Sequence, residues 1–417
     1  MRYKLLFFFK EFQSRNGSHV FLATIMARIL SFLSSWIALQ FIPNFELGLV
    51  IYALNIITII SPISGFGASQ GLLRFGALLD SNREKKNLFT YILKRGTLFS
   101  FLIIAIIILG SSYITFGLKA SKPALITLSF LLFGLFLLES LKTEFRILHK
   151  NKVFAFVEIS YNAILLALVL GGSYFLKEKG YILAMVLAPI LTFCLFFPRL
   201  KINWKPDLSF IPPNLEFWKY SFFSSMSNVA TQLLLVLDII LIGNLMQNPE
   251  MITIYKYVAL IPMSIIFLPN IFLTTDFVML TNNLKNKKST NAYIKNYMTV
   301  FSILSLLIIL ISVLFDKTIL SFFGEEFPQY YKTFDVLIFG IISILVFRGL
   351  FGNLLSALGK ASVNFWIAII AIVVNFALNY MLIPKYGIFG AAIASATLMW
   401  ITGILSIILF YYYYKKL

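Results

Sequence analysis

Long runs of apolar residues occupy most of the chain, separated by short polar gaps. A helix that crosses a bilayer needs roughly 20 consecutive apolar residues. Stretches such as Thr97–Phe116, Ile367–Ile383 and Ile388–Phe410 approach or exceed that length with no charge inside. The pattern predicts spans over residues 20–41, 47–73, 96–117, 124–141, 153–176, 181–198, 219–244, 251–280, 297–315, 334–357, 361–383 and 387–411. The second and eighth are long enough to tilt or kink. Pro62 lies in one, and Pro262 and Pro269 in the other. Membrane helices tolerate proline where neighbours satisfy the freed carbonyl. The fold class expected is an all-α integral membrane protein with 12 transmembrane helices.

Composition agrees. Of 417 residues, 59% are hydrophobic and only 12% charged, against about 25% charged in soluble domains. The net charge of +18 is not a nucleic-acid stripe, because the basic residues sit in the gaps between apolar runs. Cytoplasmic loops hold the excess of Lys and Arg. With the N-terminus inside, 25 of the 35 basic residues fall on inner segments and 7 on outer ones. That split fits twelve spans with both termini cytoplasmic, and removing one span would put the later basic loops on the wrong side. Arg2, Lys4, Lys10 and Arg15 lead into the first run without a small-residue cleavage site, so a cleavable signal is not expected.

The gap near 199–218 holds Pro206, Pro212 and Pro213 and divides the spans six and six. The expected organisation is an N-terminal lobe (1–198), a cytoplasmic linker (199–218) and a C-terminal lobe (219–417). The halves read as repeats. Lys85-Lys86 and Tyr91-Ile92 follow span two, Lys287-Lys288 and Tyr293-Ile294 follow span eight, and both read KKxxxxYI. Pro43 and Glu46 precede span two as Pro249 and Glu250 precede span eight. Six plus six spans in the same orientation form a parallel repeat, a common plan among transporters.

Two stretches carry a family resemblance. One runs from Gly48 to Tyr52 and on through Gly65, Gly67 and Gly71 to Arg74. The other runs from Asn375 and Asn379 through Pro384, Gly387 and Gly390 to Ser395, reading N…NxxLIPxxGxxGAAxAS. Together they resemble the polysaccharide-transporter branch of the MATE-like exporter superfamily, which includes O-antigen flippases. The resemblance covers essentially the whole chain. It implies two six-helix lobes around a central cavity that opens alternately to each side. It also implies a cargo of undecaprenyl-diphosphate-linked oligosaccharide, moved across the inner membrane of a bacterium. Other polysaccharide-assembly membrane proteins would be its partners. The related lipid II flippases usually have fourteen spans, and this chain lacks the extra pair.

Such a cargo presents a diphosphate and a glycan, which need cationic and polar groups inside the membrane. Arginine suits phosphate because its planar fork donates two parallel hydrogen bonds. Ionisable residues within spans are costly and face the bundle interior. Arg28, Arg348 and Lys256 are the basic residues inside spans, and Arg74 closes span two. These four are the expected cargo contacts. The alternatives are structural ion pairs for the two deep arginines, snorkelling for Lys256 and a surface anchor for Arg74. Asp238, Glu158 and Asp276 are the acids placed to couple transport to H⁺ or Na⁺, or else to pair with neighbouring cations. Asn55, Asn228, Asn375 and Asn379 are read as interhelical hydrogen-bonding groups or sugar contacts.

No cofactor and no metal site is expected. His19 and His149 are far apart, and the single cysteine, Cys194, excludes an internal disulfide and a thiolate cage. A flippase is the leading function. An ion-coupled small-molecule or drug antiporter on the same fold is the alternative, kept open by Asp238. A membrane polysaccharide polymerase is less favoured. The largest outer gap, around Asp316–Thr333, is too short to be a catalytic domain, so the chain is not read as an enzyme.

Overall fold

The computed structural model describes residues 17–115, 117–200, 212–269, 273, 280, 281, 284 and 286–416, with side chains described from Thr24 onward. Every regular element among them is helical. In chain order the α-helices are α1 (Gly17–Phe41), α2 (Asn44–Ile60), α3 (Ala68–Ala77), α4 (Asn82–Ile114), α5 (Lys122–Leu128), α6 (Leu131–Ile147), α7 (Asn151–Phe196), α8 (Leu215–Met246), α9 (Pro249–Ile265), α10 (Lys287–Ser321), α11 (Tyr331–Ser343), α12 (Gly349–Ala357) and α13 (Ala361–Tyr414). Two compact units are present. One is Leu22–Val236 with Gln247–Thr253; the other contains Leu237–Met246 and Ile254–Leu417.

Ten helical segments of the described residues are long and apolar enough to cross a membrane. Their outward faces are apolar too. On α4, Leu98, Leu102, Ile106 and Leu109 are 56–83% exposed, and on α10 Leu306, Leu310 and Leu314 are 55–67% exposed. Spacing of three and four residues puts each set on one helix face. Water does not tolerate stripes of that size, whereas hydrocarbon requires them. The protein is a multi-pass membrane protein.

Residues 153–198 and 361–411 each read as two spans, and the structure joins each pair in one helical segment with a sharp reversal. In α7 the reversal is at Lys177 (φ 50°, ψ −127°), and in α13 at Gly387 (φ 59°, ψ −140°). Beyond Lys177 the chain returns so closely that Gly172 and Gly180 meet backbone to backbone. Beyond Gly387, Gly390 meets the Leu382 carbonyl in the same way. A side chain at any of these contacts would hold the two arms apart.

The recurrence in sequence corresponds to recurrence in structure. The 17-residue α2 follows Pro43, and the 17-residue α9 begins at Pro249. The KKxxxxYI segments sit in the first turns of α4 and α10, which have 33 and 35 residues. Both are capped by a side chain: the Arg83 amide donates to Ser81 Oγ (3.2 Å), and the Ser289 amide to Asn286 Oδ1 (3.1 Å). Such caps satisfy orphan amides of the first turn.

Span two, read as one long or kinked helix, is broken. Residues Ser61–Gly67 leave the α-helix, with Gly65, Phe66 and Gly67 all left-handed (φ 61°, 59° and 68°). Pro62 removes one amide, and the glycines permit the turn. The freed Gly65 amide donates to Ser100 Oγ on α4 (3.0 Å). The Phe66 ring stacks against Phe99 and Phe222 at 5.1 and 5.2 Å, and Gly67 abuts the Ser221 carbonyl and Ser225 of α8. Glycine at such a backbone position costs nothing sterically, whereas lysine is strained. We therefore expect Lys177→Gly to raise stability by about 1 kcal/mol and Gly387→Lys to lower it by a similar amount or more. Thermal unfolding of the detergent-purified protein measures both.

Candidate functional site

The most deeply buried polar constellation lies in the C-terminal unit, around Asp238 near the end of α8. Its side chain is 7% exposed and accepts three hydrogen bonds. Tyr255 Oη on α9 donates to Oδ2 (2.6 Å), Asn379 Nδ2 on the first arm of α13 donates to Oδ1 (2.9 Å), and Ser395 Oγ on the second arm donates to Oδ2. The helical spacing of Asn375 and Asn379 puts both amides on one face, and Asn379 Nδ2 also reaches the Asn375 carbonyl and Oδ1. The reversal at Gly387 brings Ser395 back opposite Asn379. Asn375, Asn379, Ser395 and Tyr255 are all at most 6% exposed. Asn379 Oδ1 is buried without a hydrogen-bond partner.

This arrangement is rich in oxygen. Carboxylate, amide and hydroxyl oxygens converge on one point, and one amide oxygen is unused. Such a set suits a proton on Asp238 or a hard monovalent cation held by oxygen ligands. Sequence reading had singled out Asp238 and the two asparagines separately. It missed Tyr255 altogether, and had Ser395 only as part of a motif. The signal was available in the motif, whose two asparagines and serine flank a glycine turn.

The expected cargo residues are placed as follows. Arg28 is an exposed residue of α1, with no partner among the described residues. Arg348 ends a π-helical turn, Ile344–Arg348, where α11 passes into α12. The Leu345 carbonyl in this turn accepts from Tyr297 Oη (3.1 Å) on α10. Arg348 Nη1 donates to Asn364 Oδ1 (2.9 Å) and Ser406 Oγ (2.8 Å), both neutral. Lys256 is half-buried beside Tyr255 and has no ion pair among the described residues. Arg74, in the last turn of α3, lies 4.4 Å over the Tyr220 ring and 5.6 Å from that of Phe75.

Of the remaining acids, Glu158 on α7 meets Lys142 of α6 at 2.8 Å, and Lys142 also holds Glu139 at 2.8 Å. Asp276 lies outside the described residues. The structure therefore gathers polar groups around Asp238 and Arg348 in the C-terminal unit. It places Glu158 in a separate ion-pair cluster in the other unit.

No protein-family model matches the chain. A 111-residue stretch is 32% identical to the capsular polysaccharide biosynthesis protein CapF of Staphylococcus aureus, and the match spans 26% of this chain and 26% of that protein's length. Solved structures resemble nearly all of it. An inward-facing multidrug resistance MATE family transporter of the MOP superfamily superposes with a TM-score of 0.76 at 12% identity, covering 95% of this chain and 98% of that one. The lipid II flippase MurJ, in an inward closed conformation, gives 0.71 at 17% identity over 95% of this chain and 87% of that one. A MOP superfamily transporter from Pyrococcus furiosus, described as having a binding pocket of reverse polarity, gives 0.67 at 13% identity over 96% and 95%.

The chain has the fold of the MATE transporter and of MurJ on which it superposes, and that is the fold the resemblance of the sequence motifs implied. Within it, Asp238 is held by residues of α9 and of both arms of α13, so its hydrogen bonds couple these elements to α8. Removing the partner of a buried polar group costs about 1–3 kcal/mol. We expect Tyr255→Phe and Ser395→Ala each to destabilise the protein by about 2 kcal/mol. Their double variant should depart from additivity because both donate to the same oxygen. Denaturation of the purified variants in detergent measures this.

Proposed function

We propose that the protein is a flippase that carries a lipid-linked oligosaccharide, on an undecaprenyl-diphosphate-type carrier, across the bacterial cytoplasmic membrane by alternating access. The observation that carries this reading is the state of the two span arginines. Arg28 is exposed and Arg348 is held by neutral acceptors, so neither charge is cancelled by a carboxylate among the described residues. An uncompensated guanidinium within a span is stabilised by an anionic partner, and a diphosphate is the anion that best matches its fork. The CapF-like stretch supports a glycan as the rest of the cargo. Arg74, stacked on Tyr220 at the end of α3, is the proposed inner gate contact, with Lys256 a further contact along the path.

The same reading takes twelve spans in two six-span lobes, joined by the linker at 199–218, with both termini cytoplasmic. Ten candidate segments, two of them reversed on themselves, support that count. The coupling ion, H⁺ or Na⁺, is proposed to bind at Asp238 with Asn375, Asn379 and Ser395. If it is Na⁺, replacing choline chloride with sodium chloride should raise the melting temperature of the wild type. Asp238→Asn should remove that response without unfolding the protein. A sodium-insensitive melting temperature with pH-dependent transport would assign the site to a proton instead.

The antiporter reading is favoured by that same buried carboxylate, because a drug-cation exporter needs an acidic group in its path. Loss of the gene separates the two. A flippase predicts accumulation of the lipid-linked repeat unit in the inner leaflet, rescued by the wild type and about tenfold less well by Arg28→Ala. An antiporter predicts sensitivity to cationic compounds with no trapped glycolipid.

A further inference from the structure

The C-terminal unit carries a second polar feature that neither the cargo path nor the ion site uses. At about 1.5 Å per residue, α10 runs roughly 42 Å from Lys287 to its break at Phe315, beyond the ~30 Å hydrocarbon core. Its first turns therefore extend into the headgroup layer. There Asn291, Lys295, Thr299 and Ser302, spaced four, four and three residues apart, form a polar stripe on one face. The stripe lines a groove of about 670 Å³ that Met298 helps to form and Tyr411, in the last turn of α13, closes. Lys295 is exposed and has no carboxylate partner among the described residues, and no Asp or Glu occurs between Asn286 and Phe315. Other cations collect at the same end. Lys360 lies 5.1 Å from the Tyr413 ring, Lys416 lies 4.1 Å from that of Tyr412, and Lys287 and Lys288 begin α10.

Beyond Ser302 the same face becomes wholly apolar. Leu306, Leu310 and Val313 continue the spacing and are 67%, 55% and 59% exposed. One surface thus has a lysine and three small hydrogen-bonding side chains at headgroup depth, followed by a lane of bare hydrocarbon. We propose that this groove is a binding site for an anionic phospholipid of the surrounding leaflet. The phosphate lies on Lys295 and Asn291, the glycerol region on Thr299 and Ser302, and one acyl chain along Leu306, Leu310 and Val313. Basic pockets at the cytoplasmic ends of membrane helices select anionic headgroups in this way. Four polar residues match a phosphoglycerol head and leave nothing for a glycan, so the occupant is a membrane lipid rather than the transported cargo. The proposal does not depend on what the protein carries.

Native mass spectrometry of the full chain in detergent, with phosphatidylglycerol or phosphatidylcholine added at equal concentration, tests it. Phosphatidylglycerol should be retained about fivefold more than phosphatidylcholine, the preference expected from one well-placed lysine. Lys295→Glu should abolish the preference. Lys295→Arg should keep it, as should Lys119→Glu, which makes the same change of charge in the other unit. Equal retention of the two lipids, or an unchanged preference in Lys295→Glu, would overturn the proposal. Displacement of bound phosphatidylglycerol by undecaprenyl diphosphate at equimolar amounts would assign the groove to the cargo and overturn it as well.

Discussion

Hydrocarbon offers no hydrogen-bond partner, and this constraint governs two departures from a simple helix among the described residues. A backbone group freed inside the bilayer must find a partner within the chain, or the segment cannot remain there. The break in span two illustrates it: Pro62 and the left-handed Gly65–Gly67 turn interrupt the helix, and Ser100 of α4 accepts the Gly65 amide. The π-helical turn at Ile344–Arg348 is the counterpart in the other unit, where Tyr297 donates to the Leu345 carbonyl. Each irregularity therefore comes with a fixed neighbour, which makes it a positioned feature rather than a loose one. Through the second, Arg348 is set at a defined place between α12 and α13.

The same constraint governs side chains. Asp238 is tolerated because donors from α9 and both arms of α13 surround it. Those donors come together only because the chain reverses at Gly387 with almost no loop. A glycine that looks like a turn residue in the sequence thus acts at a distance, by setting which groups face a buried carboxylate. Lys177 makes the equivalent reversal in the other unit with a residue poorly suited to it. There Gly172 and Gly180 meet, and among the described residues the arms bring no comparable carboxylate cage together.

Much of the fold was legible because its signals are local. Apolar run length, the charges in the gaps and the paired KKxxxxYI segments all lie along the chain, and they pointed to a multi-pass helical membrane protein with recurring elements. The site was only partly legible. Asp238, Arg28 and Arg348 stand out because charge is rare in apolar runs. Tyr255 does not, because it is one of 20 tyrosines in the chain. That it points at Asp238 depends on how α8 packs on α9, which no local pattern encodes. Glu158 read as a coupling acid or as the partner of a neighbouring cation, and α6 supplies that cation as Lys142. The polar stripe on α10 was present at helical spacing, but the groove needed Tyr411, more than a hundred residues later, to close it.

The features combine in the proposed transporter. On that proposal the span arginines serve an anionic cargo, the caged Asp238 serves an ion, and the groove on α10 holds a membrane lipid. The most direct test is to reconstitute the purified protein in liposomes carrying a fluorescently labelled lipid-linked oligosaccharide. Its movement between leaflets is then followed by quenching from one side. The account predicts quenching of the protected pool at a rate that depends on protein and falls with Arg28→Ala. A protected pool that stays protected with folded wild-type protein, across imposed H⁺ and Na⁺ gradients, would contradict it.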